Sequence, residues 1–516
     1  MHIHKRREEE SEMESQMRKQ SGNSILRAVF VALSFLLQLG WILLQILALN
    51  NSPYIAAATN LIAVLAVLKL YSKHTNAAYK MPWIMLIMAM PVMGLSLYLL
   101  TQLAVSPRSI HKRVQGMKQR NGVFLECEEI PRGLAPEEEN LAGYLKAYEG
   151  MPAWDGTATK YYGETLDALA DMKKDLERAE KYIFMEYFIL EDGEAFRQIR
   201  EILERKAAEG VEVRLMYDDL GSIGTTSWRY AAELNKAGIQ CRSFNPALPI
   251  LNLFLNNRDH RKITVIDGRV AYTGGYNLAD EYFHYAKPYG HWKDTGIRLE
   301  GRAVRNLTAT FLELWNVNSR TSEDVSPYLT IDHRVEGSGA VQPFGDSPLD
   351  GERSAENVYL TIINQAKRYV WVMTPYLIIT DELSRALELA AKRGVDVRII
   401  TPGVPDKKTV WAVTRSYYAP LARYGVRIFE YAPGFCHGKM ALCDGTVASI
   451  GTSNLDYRSL YLHFENNVVL YRCDAVTQME ADFREMFPIC REMTESYRNV
   501  TLKTWQRILR LFAPLL

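Results

Sequence analysis

A six-residue string occurs twice in this chain with nearly the same letters. GVEVRL begins at Gly210 and GVDVRI at Gly394, an offset of 184 residues. A repeat of that length means a duplicated domain and not a solenoid of short units. Its surroundings repeat too. Asp167–Lys181 has a helical pattern and Tyr182–Leu190 is a buried-strand run. Phe196–Glu209 is helical, Gly210 stops it, and Val211–Tyr217 is a strand. In the second copy the order is helix Val358–Arg368, strand Tyr369–Ile379, helix Glu382–Arg393, stop at Gly394 and strand Val395–Ile400. Such alternation predicts an α/β fold with two repeats, each a β-sheet flanked by helices. The segment Thr321–Glu356 is rich in Ser, Gly, Pro and Asp and lacks periodicity, so it reads as the boundary. The expected domains are 136–325 and 340–516.

The chemistry lies in a second match. His260-x-Lys262, four residues, Asp267, six residues and Gly274-Gly275-x-Asn277 recur as His437-x-Lys439, Asp444 and Gly451-Thr452-x-Asn454. Residues two apart on a strand point to the same face. An imidazole beside an ammonium suits a phosphoryl group: the ring is nucleophile or proton carrier, and the cation holds a non-bridging oxygen. The Gly-small-x-Asn turn brings backbone close to a substrate and adds an amide donor. One half supplies no nucleophile with a separate acid. Two halves facing each other about a pseudo-twofold axis supply one of each.

The first hundred residues call for a different solvent. Ala28–Leu49 holds 22 residues without a charge, and about 20 apolar residues cross a bilayer core. A signal peptide would be shorter in its apolar part and end at a small-residue cleavage site, which does not follow here. Tyr54–Leu68 and Met81–Leu100 are further apolar stretches, the latter interrupted by Pro82, Pro91 and Gly94, which would kink a span or bend a re-entrant hairpin. The expectation is a disordered tail over 1–27 and a transmembrane helical region over 28–105 with two or three segments. Lys69, Lys73 and Lys80 lie before the third stretch, and Arg108, Lys112, Arg113, Lys118 and Arg120 after it. Both basic clusters favour the cytoplasm. They share one side only if the third stretch does not fully cross or one charge signal is overridden.

Sixty-one basic and 60 acidic groups leave a formal charge of +1, so no global field draws this chain to nucleic acid. Six scattered cysteines without C-x-x-C spacing argue against zinc and against a disulfide framework, and fit a reducing compartment.

The duplicated motif resembles the HxK(x)4D signature of the phospholipase D superfamily. Within it the chain looks like a bacterial cardiolipin synthase, on Trp83–Leu100, Tyr217–Ser222, Asn256–Tyr282, Phe435–Ser459 and the ending RILRLFAPLL. That resemblance implies transfer of a phosphatidyl group from one phosphatidylglycerol to another, giving cardiolipin and glycerol through a phosphohistidine, without metal or cofactor. It implies His260 as nucleophile and His437 as acid and base, the reverse being open by pseudo-symmetry. Lys262 and Lys439 would clamp the phosphate, and Asn277 and Asn454 would hydrogen-bond it. Asp267 and Asp444 complete the catalytic motif, with an ion-pair role at the strand end equally open. Asp294 and Glu465, each about thirty residues past a motif histidine, are the expected orienting carboxylates. Ordinary packing is the default for His291 and His463 beside them.

Pro246–Leu255 is an apolar loop entering the first motif. Leu502, Trp505, Ile508, Leu509 and Phe512 form one apolar face flanked by Lys503, Arg507 and Arg510, as in an interfacial helix. The expected setting is the cell membrane, multi-pass, with the catalytic domains cytoplasmic. Rivals are a phospholipase D-type hydrolase, a transferase using phosphatidylethanolamine, a nuclease and a non-catalytic scaffold.

Overall fold

The computed structural model describes residues 53–73, 76–103, 108–126, 130–227, 229–245, 257–317 and 323–515, with isolated positions before residue 53. The first half contributes β1 (Thr157–Tyr162), β2 (Tyr182–Tyr187), β3 (Glu212–Asp218), β4 (Gln240–Phe244), β5 (Lys262–Ile266), β6 (Val270–Gly274), β7 (His291–Lys293) and β8 (Gly296–Gly301). The second contributes β9 (Ala340–Asp346), β10 (Tyr369–Met373), β11 (Asp396–Pro402), β12 (Arg427–Tyr431), β13 (Gly434–Cys436), β14 (Met440–Cys443), β15 (Val447–Gly451), β16 (Glu465–Tyr471) and β17 (Cys490–Glu492).

Each half builds one mixed sheet with the same plan. The orders are β4-β3-β2-β5-β6-β8-β1 and β12-β11-β10-β14-β15-β16-β9, with β17 added beside β12. The parallel part, β2-β3-β4 or β10-β11-β12, follows from helical crossovers, and the rest pairs antiparallel. The stretch expected to be an unstructured boundary therefore contains β9, an edge strand paired to β16. Its seven residues, AVQPFGD, are buried throughout, but Pro and Gly within them blunt the strand signal.

The motif aspartates sit in the β5–β6 and β14–β15 hairpin turns. Asp267 and Gly268 take φ of 53° and 65°, and Asp444 and Gly445 take 52° and 69°. Positive φ at two successive turn residues matches the twist of the strands, and Asp-Gly is the pair that tolerates it. Each carboxylate then gathers three backbone N–H donors at the start of the neighbouring strand. Asp267 accepts from Glu180, Lys181 and Tyr182 at 2.7–2.9 Å. Asp444 accepts from Lys367, Arg368 and Tyr369 at 2.7–2.9 Å.

The halves exchange helices. Val304–Val317 follows β8 and is buried along nearly its whole length. Its Asn306 donates to Pro343 O in β9 at 2.8 Å. Asp474–Met486 follows β16 and lies against β1, where Tyr161 Oη donates to Asp482 at 2.5 Å. One continuous core thus includes residues of both halves.

Before the sheets, Pro53–Tyr71, Ala77–Ala89 and Pro91–Leu103 are helical. Met81–Leu100 is not one rod. Trp83 and Tyr98 rings lie 5.7 Å apart, whereas fifteen helical residues would separate them by about 22 Å. The chain folds back at Met90–Pro91, and Gly94 permits the approach, since a Cβ there would lie 2.6 Å from Ile87 Cα. Thirteen residues make about 20 Å of helix, short of a roughly 30 Å hydrocarbon core. Among the described residues no helix is long and apolar enough to cross a membrane. The expected first span, Ala28–Leu49, lies outside the described residues except for isolated positions, and the 1–27 tail and the Pro246–Leu255 loop lie wholly outside them. The helical hairpin docks on the second half: Asn76 donates to Tyr461 Oη at 3.2 Å and Tyr79 Oη to Tyr457 O at 3.0 Å.

Asp267→Ala and Asp444→Ala should each cost roughly 3 kcal/mol by stranding three backbone donors. Denaturant unfolding should show this loss while turnover per folded molecule is kept. Full stability with lost turnover would return both aspartates to the catalytic set.

Candidate active site

Each motif histidine is held by the opposite half. The His260 N–H donates to Phe464 O at 2.9 Å, and the His437 N–H donates to Lys293 O at 2.6 Å. The residue after each of these carbonyls is a carboxylate. Glu465 places both oxygens 2.9 Å from His260 Nδ1. Asp294 places Oδ2 2.7 Å from His437 Nδ1. Distance along the chain pairs Asp294 with His260 and Glu465 with His437, and the fold crosses these partners. Only packing of one sheet against the other brings them together. Engaging Nδ1 fixes ring orientation and leaves Nε2 for a substrate.

The glycine-containing turns serve these pairs. A Cβ on Gly275 would sit 2.0 Å from Asp294 Oδ1, so the small residue makes room for the carboxylate. In the second half Thr452 occupies the equivalent place and donates its hydroxyl to Glu465. Asn466 adds another crossing, accepting from the Lys262 N–H at 3.1 Å and donating to Thr273 at 2.7 Å.

Lys262 and Lys439 are fully buried beside the histidines. Lys262 Nζ donates to His260 O at 2.6 Å, and Lys439 Nζ lies 2.8 Å from the His437 ring nitrogens. Burial pushes Lys262 down to about 7 and Lys439 to about 8. Burial, helped by Lys439, takes His437 down to about 4, and burial with Lys262 holds His260 well below the usual imidazole range. The two carboxylates differ. Burial pushes Glu465 well up, against Lys262. Burial would also raise Asp294, but His437, Lys439 and the Thr295 N–H outweigh it and hold it low.

Both histidines open into one cavity of about 530 Å³. Asn277 and Asn454 also line it but differ in use. Asn277 accepts from the Ile189 N–H at 3.0 Å and donates to Tyr282 Oη at 2.8 Å, so most of its amide braces the wall. Among the described residues Asn454 Oδ1 is buried without a hydrogen-bond partner. Asp267 and Asp444 are not among the lining residues; their carboxylates accept backbone hydrogen bonds in the hairpin turns, the structural role that the sequence left open for them.

Sequence reasoning missed most of the wall. Phe188 packs on His260 at 4.9 Å, while Tyr282 and Trp292 each pack on His437 at 5.3 Å between centroids. Tyr376 and Ala513 complete it from the second half and the C-terminus. Phe188 and Tyr376 follow the C-terminal ends of β2 and β10, the one positional signal that could have found them. His463 lines the cavity, with its ring 5.6 Å from His260. His291 does not; its Nδ1 meets Tyr431 Oη at 3.0 Å. Tyr417, Tyr418, Cys436 and Cys443 are core residues.

A family model described as cardiolipin synthase, PLD-like domain matches residues 172–315 and 359–487, one motif in each span. A cardiolipin synthase of Halalkalibacterium halodurans is 34% identical over 471 residues, covering 87% of this chain and 91% of its own. A cardiolipin synthase 2 of Bacillus anthracis is 40% identical over 325 residues, 62% of each chain. An uncharacterized protein of Streptococcus mutans is 40% identical over 459 residues, 87% of this chain and 99% of its own. Among solved structures, phosphatidylserine synthase of Haemophilus influenzae shares the fold, with a TM-score of 0.55 at 14% identity over 73% of this chain and 97% of that one. With its two motif-bearing sheets and relatives aligned along most of its length, this chain belongs to the cardiolipin synthase family of phospholipase D-like proteins.

Proposed function

We propose that the chain is a cardiolipin synthase that moves a phosphatidyl group from one phosphatidylglycerol to another. The observation that carries this is a pair of histidines, each with Nδ1 held by a carboxylate of the other half, opening into one cavity beside two buried lysines. In this reading His260 Nε2 attacks phosphorus, forming a P–N bond as the P–O bond to glycerol breaks. His437, protonated as the anionic phosphate enters beside it, gives that proton to the departing alkoxide. A second phosphatidylglycerol enters, His437 takes the proton of its terminal hydroxyl, and that oxygen displaces His260. Lys262 and Lys439 offset the charge on the five-coordinate phosphorus, and a bound phosphate draws their protons back on. Donor and product are both phosphodiesters, so concentrations set the direction. The aromatic wall keeps water from the intermediate. No step requires a metal.

One observation favours the exchanged assignment. The lowered carboxyl of Asp294 keeps a proton on His437 Nδ1 and a lone pair on Nε2. Trapping decides between them: phosphatidyl-histidine at position 260 in His437→Ala supports the first, and at position 437 in His260→Ala the second.

The setting we infer is the cytoplasmic face of the cell membrane. Trp505 and Ile508 on the helix Thr504–Leu511, and Phe512 just after it, are 48%, 55% and 45% exposed, beside a cavity that Ala513 lines. Tyr457, which receives the helical hairpin, also lines that cavity. A hairpin that enters the bilayer and returns puts both basic clusters on one side, as their charge requires.

Solubilised protein given pure phosphatidylglycerol should yield cardiolipin and glycerol by mass spectrometry, equally with EDTA. His260→Ala and His437→Ala should each lose roughly 10³-fold or more. Phosphatidic acid alone would make it a hydrolase, and product only with added phosphatidylethanolamine would change the donor.

The kcat/KM of the free enzyme should fall as pH rises through about 7 and about 8, where Lys262 and Lys439 lose their protons. Lysines with lowered pKa are charged below those values and neutral above. A flat profile to pH 10 would remove the lysines from the phosphate clamp.

A further inference from the structure

Away from the catalytic cavity, three side chains from three separate elements converge. Glu164 precedes the helix Thr165–Glu177, His284 ends a short turn at φ 60°, and His291 opens β7. Glu164 Oε2 lies 3.6 Å from His284 Nε2 and 3.7 Å from His291 Nε2. These separations are too long for hydrogen bonds. They are close to the edge of a tetrahedron around a zinc ion, about 3.4 Å for bonds of about 2.0–2.1 Å. All three ligand atoms lie within 4.8 Å of one another.

Two further observations point to a missing ligand. The His284 side chain is 11% exposed, yet among the described residues neither of its ring nitrogens has a hydrogen-bond partner. A buried imidazole in that state is costly unless something outside the chain completes it. His291 Nδ1 is engaged by the Tyr431 hydroxyl at 3.0 Å, the outer contact that fixes a metal-binding histidine with Nε2 forward. Glu164 is half-exposed, so a water has access to the fourth position. Lys293 also faces this region, but its ammonium is paired with Asp482 at 2.8 Å.

We propose that Glu164, His284 and His291 bind one zinc ion, a His₂Glu site distinct from the histidines that carry the transfer. Zinc there ties the segment 280–291 to the turn after β1. That segment supplies Tyr282 and Tyr289 to the cavity wall and leads into β7, which aligns β13 and is followed by Asp294. The ion is a clamp on the wall and takes no part in bond making, so transfer persists in EDTA while thermal stability drops.

The test uses full-length, untagged, metal-stripped protein titrated with zinc chloride, read by bound metal per chain and by melting temperature. One zinc per chain with a raised melting temperature is expected. Both effects should vanish in His284→Ala and fall at least tenfold in affinity in Glu164→Gln. Both should persist in His463→Ala, because His260, His463 and Glu465 form the other cluster among the described residues able to hold a metal. Apo-protein melting curves of the variants establish that each is folded. Absence of stoichiometric zinc in the wild type, its retention in His284→Ala, or its loss in His463→Ala overturns the proposal.

Discussion

The site depends on a crossing. Each motif histidine takes both its backbone hydrogen bond and its orienting carboxylate from the opposite sheet. A buried imidazole without such a partner would be free to turn and would present either nitrogen. Much of the fold serves to keep this arrangement rigid. The hairpin aspartates bolt β5 and β14, which carry the motif lysines or follow them, to the adjacent strands. The small residue at Gly275 admits Asp294, and the exchanged helices hold the sheets in register.

The duplicated pattern was readable because strands and helices recur with the same punctuation. Gly210 and Gly394 both take positive φ after a helix, which is why the letters around them agree. The motif residues that line the cavity were equally visible, since type and spacing repeat. Their partners were not. Sequence separation offers Asp294 to His260, 34 residues away, whereas the histidine it contacts lies 143 residues away. Aspartates within a motif read as catalytic by association, and only turn geometry reveals that their oxygens are occupied by backbone. Residues such as Phe188 and Tyr376 look like core aromatics in any one-dimensional reading. The apolar run Met81–Leu100 carried its own warning in Pro91 and Gly94, which the fold uses for a return bend.

The repeats match in topology and differ in electrostatics. Asp294 is short and gains a backbone donor from Thr295, so its charge is supported. Glu465 reaches through a dry interior with a threonine hydroxyl nearby, and burial dominates it. Two histidines of identical chemistry thereby face carboxylates of opposite tendency. A symmetric pair of repeats would lack that difference at rest and would distinguish its two histidines only when an asymmetric substrate bound.

The crossing has a further consequence for how the chain comes into being. During translation His260 emerges about 200 residues ahead of Glu465, and the Ala513 wall comes last. Through that interval the leading histidine has no carboxylate, no locked backbone and no opposing acid. The site is therefore incomplete until the ribosome has nearly finished, a safeguard that comes from chain order alone.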